Sequence, residues 1–166
     1  MLLGSDRARR RLVLFEDPQC PYCRQFEAVS GDLLRSARDE GNVAVEYRMR
    51  CFLGIESVRA DNALALAAEA DLFDELRSAV FASQPPEGTG GFTTLDLLEL
   101  GRQSGLTGPD YVSGVKEGRY ERWVVKMEQS FQEQDSQGTP AGWLDGQPLD
   151  PHVLTNPRAL ASELQS

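Results

Sequence analysis

The stretch FEDPQCPYCRQFEAVSGDLLRSAR, residues 15–38, decides the fold. In it an apolar run gives way to a helical pattern, and Cys20 and Cys23 stand at the junction. Residues 11–16, RLVLFE, are short, apolar and partly β-branched, which reads as a strand closed by Asp17-Pro18. Pro21 suits the first position of a helix, where its missing N–H costs nothing, so Cys20 falls at the N-cap or beside it. Phe26, Val29, Leu33 and Ala37 recur at helical spacing and are expected to line one face, and Gly41-Asn42 supplies the stop. Residues 43–49, VAVEYRM, alternate and favour a second strand, expected to run parallel to the first through a right-handed crossover.

Three uses of the cysteine pair compete. A structural zinc site needs four ligands, and only Cys51 and His152 remain as candidates, neither with a partner nearby in sequence, so no metal is expected. A structural disulfide closing so short a ring removes little entropy from the unfolded chain. Redox chemistry accounts for the position itself. A cysteine at a helix N-terminus faces unsatisfied N–H groups and the positive end of the macrodipole, which stabilise its thiolate. The thiolate is the attacking and leaving form in disulfide exchange, and a second cysteine one turn later can resolve the mixed disulfide. A Cys-x-x-Cys beside a βα unit therefore points to a redox pair.

The setting agrees. The chain of 166 residues is expected to form a single domain, 1–166, able to bury a core without staples, and three cysteines are too few for a disulfide scaffold. A net charge of −9 disfavours nucleic acid and anionic lipid as partners. The basic cluster Arg7, Arg9, Arg10 and Arg11 is expected to be a solvated arm. No apolar run is long enough to span a bilayer, and Met1-Leu2-Leu3 runs directly into polar residues without a signal-like apolar segment. The expectation is a cytosolic protein or a mature piece without its targeting segment.

Beyond residue 49 the chain turns helical. SVRADNALALAAEADLFDELRSAVFAS, residues 57–83, reads as two helices or one kinked helix, with Ser57 as N-cap. Thr93 or Thr94 is expected to cap LDLLELGRQ, Pro109 to open PDYVSGVKEG, and residues 119–135 to form a further helix. This block, residues 57–135, carries too little polar linker to swing independently. GTPAGWLDGQPL, residues 138–149, holds an Asp145-Gly146 hairpin signal, and Pro157 opens a closing helix, PRALASELQ. The order is β, α, β, helical insertion, β-hairpin, α.

Together FEDPQCPYC, the helical segment SVRADNALALAAEADLFDELRSAVFASQPPEG and GTPAGWLDGQPL resemble the DsbA-like, thioredoxin-fold thiol–disulfide oxidoreductases of bacterial cell envelopes. The resemblance covers nearly the whole chain after residue 10. It implies an α/β thioredoxin fold with a helical insertion between the βαβ half and the C-terminal β-hairpin–α half. Cys20 would be the exposed nucleophile and Cys23 the buried resolving cysteine. Thr139 and Pro140 would form the cis-proline loop beside them, offering the backbone of Thr139 to an extended substrate, with Pro21 and Tyr22 also at the substrate surface. No cofactor is implied. The partners would be cysteine-containing proteins and a membrane quinone-linked reoxidant of the DsbB or VKOR kind, with a monomer in an extracytoplasmic compartment.

The match has departures. The family's buried acid, six residues before the first cysteine, is replaced by Leu14, as in members of the DsbG branch. Glu16 shares strand parity with Leu14 and could substitute, although a solvated acid at the strand's end is the simpler expectation. An additional N-terminal strand, carried by many relatives, is not expected. Tyr22 lacks the charge of the His in the familiar Pro-His dipeptide. Cys51 is expected to be a small buried hydrophobe, Trp123 and Trp143 core residues, and His152 a loop residue. Two alternatives stand beside the oxidising or isomerising enzyme. One is a chaperone-like binder of unfolded chains with secondary redox chemistry. The other is a cytosolic glutaredoxin- or thioredoxin-like reductase. Against a glutaredoxin stands the long helical stretch between Cys23 and Thr139, since a glutaredoxin reaches its Thr-Val-Pro much sooner.

Overall fold

The N-terminal arm departs from expectation: Leu2–Leu3 forms a short strand, β1, and Arg10–Glu16 a second, β2. Helix α1, Pro21–Asp39, leads to β3, Val43–Met49. β1 pairs antiparallel with β3, Leu2 opposite Glu46 and Leu3 opposite Val45. Two residues are too few to show alternation, and the backbone does the holding: the Met1 amine donates to the Tyr47 carbonyl at 2.7 Å and the Tyr47 N–H returns a bond to the Met1 carbonyl at 2.7 Å. Nor are all the arginines merely solvated. Arg10 lies 2.5 Å from Asp145 and Arg11 2.5 Å from Glu46, while Arg7 and Arg9 stay exposed. This computed structural model describes residues 1–132 and 138–165.

The chain divides into a sheet unit, Met1–Glu16, Tyr22–Arg48 and Gln137–Ser166, and a helical unit, Asp17–Pro21 and Met49–Ser136. The sheet unit adds β4, Ala141–Leu144, and β5, Gln147–Pro148, then α7, Pro151–Leu154, and α8, Pro157–Gln165, in chain order after the helical insertion. Its strand order is β1-β3-β2-β4-β5. β2 and β3 are neighbours in the sheet and are joined in sequence through α1. β4 pairs antiparallel with both β2 and β5. Asp145 and Gly146, both with positive φ, make the two-residue turn that suits a right-twisted hairpin. His152 is helical rather than in a loop, because Asp150 caps α7 by accepting from the His152 N–H.

Leu12 and Leu14 of β2, Phe26 and Leu34 of α1, Val43 and Val45 of β3, and Leu154 and Leu160 are all buried, each contributing about 1.5–3 kcal/mol. The buried stripe of α1 is Cys23, Phe26, Ser30, Leu34 and Ala37, with Ser30 donating to the Leu154 carbonyl at 3.0 Å. Val29 is exposed and Leu33 only half-buried, so the expected stripe is corrected: Cys23 sets the register, and Val29 falls off the face it heads.

The helical unit contains α2, Ile55–Glu69; α3, Phe73–Ala82; α4, Thr94–Gln103; α5, Pro109–Glu117; and α6, Glu121–Gln132. The 57–83 stretch is thus two helices, and the part of the expected 119–135 helix beyond residue 132 lies outside the described residues. α2 packs against α3, α4, α5 and α6, and its alanines permit neighbours on several sides. It starts at Ile55 with Gly54 as N-cap, so Ser57 is not the cap. Thr93 caps α4 in a reciprocal capping box with Asp96. Gly101 leaves room for the Tyr111 ring, which would lie 2.2 Å from any Cβ there, and the Tyr111 hydroxyl donates to the Leu97 carbonyl at 2.9 Å. Among the described residues no helix is long and apolar enough to cross a membrane.

Candidate active site

β2 ends at Glu16, α1 begins at Pro21, and the chain between them is a tight loop. The Cys20 N–H donates to the Asp17 carbonyl at 2.9 Å, and the Gln19 N–H to the Asp17 carboxylate at 2.9 Å. Asp17-Pro18 thereby makes the turn that its residues predict. Cys20 immediately precedes the first helical residue and Cys23 is the third residue of the helix. The first-turn N–H groups lack intrahelical partners and carry the positive end of the dipole, which favours an anion at this end of α1. The three cysteines are thiols in this structure.

Exposure separates the residues of the motif. Tyr22 is 64 % exposed, as expected, and Cys23 is fully buried. Cys20 is only 5 % exposed, which corrects the expectation of an open nucleophile. Its loop is anchored by hydrogen bonds within the helical unit. Gln84 Nε2 donates to the Pro18 carbonyl at 2.7 Å and to the Cys20 carbonyl at 3.0 Å. Gln19 donates to the Leu53 carbonyl at 3.1 Å and to Ser57 Oγ at 3.0 Å, and accepts from the Gly88 N–H at 3.0 Å.

Asp17 is the charged member of this arrangement. Its carboxylate accepts from Ser57 Oγ at 2.6 Å and from the Leu53 N–H at 3.2 Å, in addition to Gln19. Burial pushes its carboxyl up to about 6 against the pull of those three donors, with the Cys20 charge adding to the rise. Ionising Asp17 therefore costs folding free energy as pH rises from its unfolded value of 3.8 through about 6, and the cost is absent below that window. Glu16 is also fully buried, so the solvated reading of this acid is overturned. It follows Leu12 and Leu14 on one parity of β2, and both of those leucines are equally buried.

Thr139 and Pro140 are half-buried, and the peptide bond between them is cis. Ala141 pairs with Phe15, so the same register carries Pro140 to the level of Glu16, at the end of β2 from which the cysteine loop leaves. Trp143 packs edge-to-face on Phe15 with ring centroids 5.1 Å apart.

The remaining candidates lie elsewhere. Cys51 is buried with Val58 and Val124, and desolvation followed by the nearby carboxylates of Asp61 and Glu128 pushes its thiol up to about 12. It stays protonated across the physiological range and is a small hydrophobe, as expected. Trp123 is 53 % exposed instead of core, because the buried stripe of α6 is Val124, Glu128 and Phe131; its ring meets Tyr120 edge-on. Sequence reasoning missed Gln19 and Gln84 altogether and gave Ser57 the role of a helix cap instead of a partner of Asp17. Neutral polar residues far apart in sequence leave no local pattern, and only the turn-forming character of Asp17 was readable.

The architecture has close counterparts among solved structures. The reduced disulfide bond oxidoreductase DsbG of Mycobacterium tuberculosis superposes with a TM-score of 0.85 at 23% identity, covering 99% of this chain and 85% of that one. BdbD of Bacillus subtilis gives 0.85 at 20% identity, covering 99% and 90%. MdbA, a thiol-disulfide oxidoreductase of Corynebacterium diphtheriae, gives 0.82 at 17% identity, covering 98% and 88%. These likenesses show the fold, a DsbA-like thioredoxin fold with a helical insertion. No curated protein sequence matches the chain. A family model described as Thioredoxin matches residues 1–158, nearly the whole chain, and the protein belongs to the thioredoxin family.

Proposed function

We propose that the protein is a thiol–disulfide oxidoreductase of the DsbA type, acting on cysteine-containing proteins through Cys20 and Cys23. The observation that carries the reading is the place of the pair, with Cys20 directly ahead of α1 and Cys23 in its first turn, in a thioredoxin fold. Residues three apart on a helix lie about 5–6 Å from one another at Cβ, close enough for a small backbone adjustment to bridge two thiols. The solved relatives described as disulfide oxidoreductases support the same chemistry.

In the oxidising direction a substrate thiolate attacks the Cys20 sulfur of the Cys20–Cys23 disulfide, and Cys23 leaves as a thiolate that takes a proton. A second substrate thiolate then attacks the substrate sulfur of the mixed disulfide, and Cys20 leaves. Two electrons pass from substrate to protein, and the substrate's two thiol protons are released or taken up by the new thiols. The helix start stabilises the departing Cys20 thiolate. Thr139 offers backbone to an extended substrate segment from the cis-proline loop, and the exposed Tyr22 and Pro21 border the approach. Such a role belongs in an oxidising, extracytoplasmic compartment, with a membrane quinone-linked partner of the DsbB or VKOR kind restoring the disulfide to a monomeric enzyme.

The direction of exchange follows from what stabilises the reduced form. Cys20 at the helix start favours the thiolate, whereas Tyr22 adds no charge and the buried Asp17 of the same loop opposes it. The equilibrium potential against glutathione is expected above about −270 mV, the thioredoxin value, and below about −120 mV, that of the strongest oxidant of the class. The reduced form should be the more heat-stable one. A potential at or below thioredoxin's, with the oxidised form more stable, would make a cytosolic reductase the better reading.

A further inference from the structure

Asp17 is a buried group that the exchange reaction does not use, and its contacts are specific. Its two carboxylate oxygens receive three hydrogen bonds, from the Gln19 N–H, the Leu53 N–H and the Ser57 hydroxyl, and all three donors are neutral. Its backbone carbonyl receives the Cys20 N–H. One residue thus ties the cysteine loop to the segment leading into α2, while Gln84 fastens the two neighbouring carbonyls. An asparagine could not reproduce the set, since its amide nitrogen would face a backbone N–H where the carboxylate now accepts.

Asp17 shares its surroundings with the fully buried Glu16, its chain neighbour, and its charge is felt by two thiols. Cys20 opposes Asp17 from their shared loop. Cys51, beyond the end of β3, feels Asp17 together with Asp61 of α2 and Glu128 of α6, with Arg50 as the opposing cation. Two groups that repel when both are ionised titrate as a coupled pair. We propose that Asp17 is the positioning residue of the Cys20 nucleophile: it fixes the loop that places the sulfur at the start of α1, and its charge restrains formation of the Cys20 thiolate. The consequence is a built-in acid response. Below the pH at which Asp17 ionises the loop is neutral and the thiolate forms without opposition, and above it each further deprotonation is held back. The idea rests on Cys20 being the nucleophile.

The test follows Cys20 alkylation by iodoacetamide from pH 4 to 9, with the modified peptide identified by mass spectrometry, in the full reduced chain. Cys51 stays protonated over this range, and mapping the label to its peptide keeps the two thiols apart. The wild-type profile should show two inflections, one near pH 6, where Asp17 titrates. Asp17→Asn should leave one inflection, moved down by about one pH unit, a tenfold gain in thiolate below the midpoint. The same tenfold should raise the potential by about 30 mV. Asp17→Glu, which keeps the charge, should restore two inflections even at reduced stability. Loosening of the loop alone would lower the melting temperature without moving the midpoint downward. A reactive Cys20 with a single inflection in the wild type, a measurement that needs no variant to fold, overturns the inference about Asp17, as does an Asp17→Asn midpoint equal to wild type. A Cys20 that is unreactive at every pH overturns the functional reading beneath it, and this inference with it.

Discussion

Cys20→Ser should abolish catalysed disulfide exchange, a loss on the order of 10³-fold or more in kcat/KM for oxidation of a reduced substrate protein. Serine keeps the size and the place at the head of α1 but supplies no leaving thiolate, so neither the mixed disulfide nor its resolution can occur. The fold should tolerate the change, because Cys20 is held through its backbone: its N–H by Asp17 and its carbonyl by Gln84. A melting temperature close to that of the reduced wild type is therefore part of the expected result. If the variant still protects unfolded substrates from aggregation as well as wild type does, while exchange is lost, binding and chemistry are separable. If exchange itself persists, the nucleophile lies elsewhere.

The second large effect is on stability. Arg50 and Glu128 form a two-pronged ion pair, Nε and Nη2 to the two carboxylate oxygens at 2.8 and 2.7 Å, with both side chains buried. Glu128 also accepts the Cys51 N–H at 3.1 Å, and the Arg50 guanidinium lies 5.0 Å from the centre of the Phe52 ring. The pair therefore ties the segment after β3 to α6 inside the helical unit. Glu128→Ala leaves a guanidinium without its carboxylate in a site closed to water and a backbone N–H without an acceptor. Removing one partner of such a pair costs about 3–5 kcal/mol. Urea unfolding monitored in the helical signal should register that loss, and a change below about 1 kcal/mol would show that the pair is solvated or replaceable.

Local signals account for the parts that were readable. Asp17-Pro18, Pro21 and Gly41 punctuate the βαβ half so sharply that β2, α1 and β3 follow within a residue or two, and Asp145-Gly146 does the same for the hairpin. What escaped depends on contacts between distant residues. β1 exists only because the edge of β3 is there to pair with it. Val29 obeys helical spacing yet faces out, since which stripe is buried is decided by what packs on the helix. Ser57 looks like a cap and instead serves Asp17, and Gln84 carries no pattern at all. Trp123 shows the reverse error: its apolar bulk suggests a core position, whereas helix geometry places it beside the buried stripe of α6. The catalytic pair was legible because its chemistry is local, and its supporting polar residues were not because theirs is tertiary.

The central claim, that Cys20 attacks and is attacked while Cys23 resolves, is tested most directly by trapping. Cys23→Ser, oxidised in the presence of reduced substrate proteins, should accumulate covalent complexes that dissolve on addition of dithiothreitol, and peptide mapping should place the bridge at Cys20. Cys20→Ser treated in the same way should accumulate none, and Cys51 should remain a free thiol throughout. Complexes formed through Cys23 or Cys51, or none from the Cys23→Ser variant, would contradict the account.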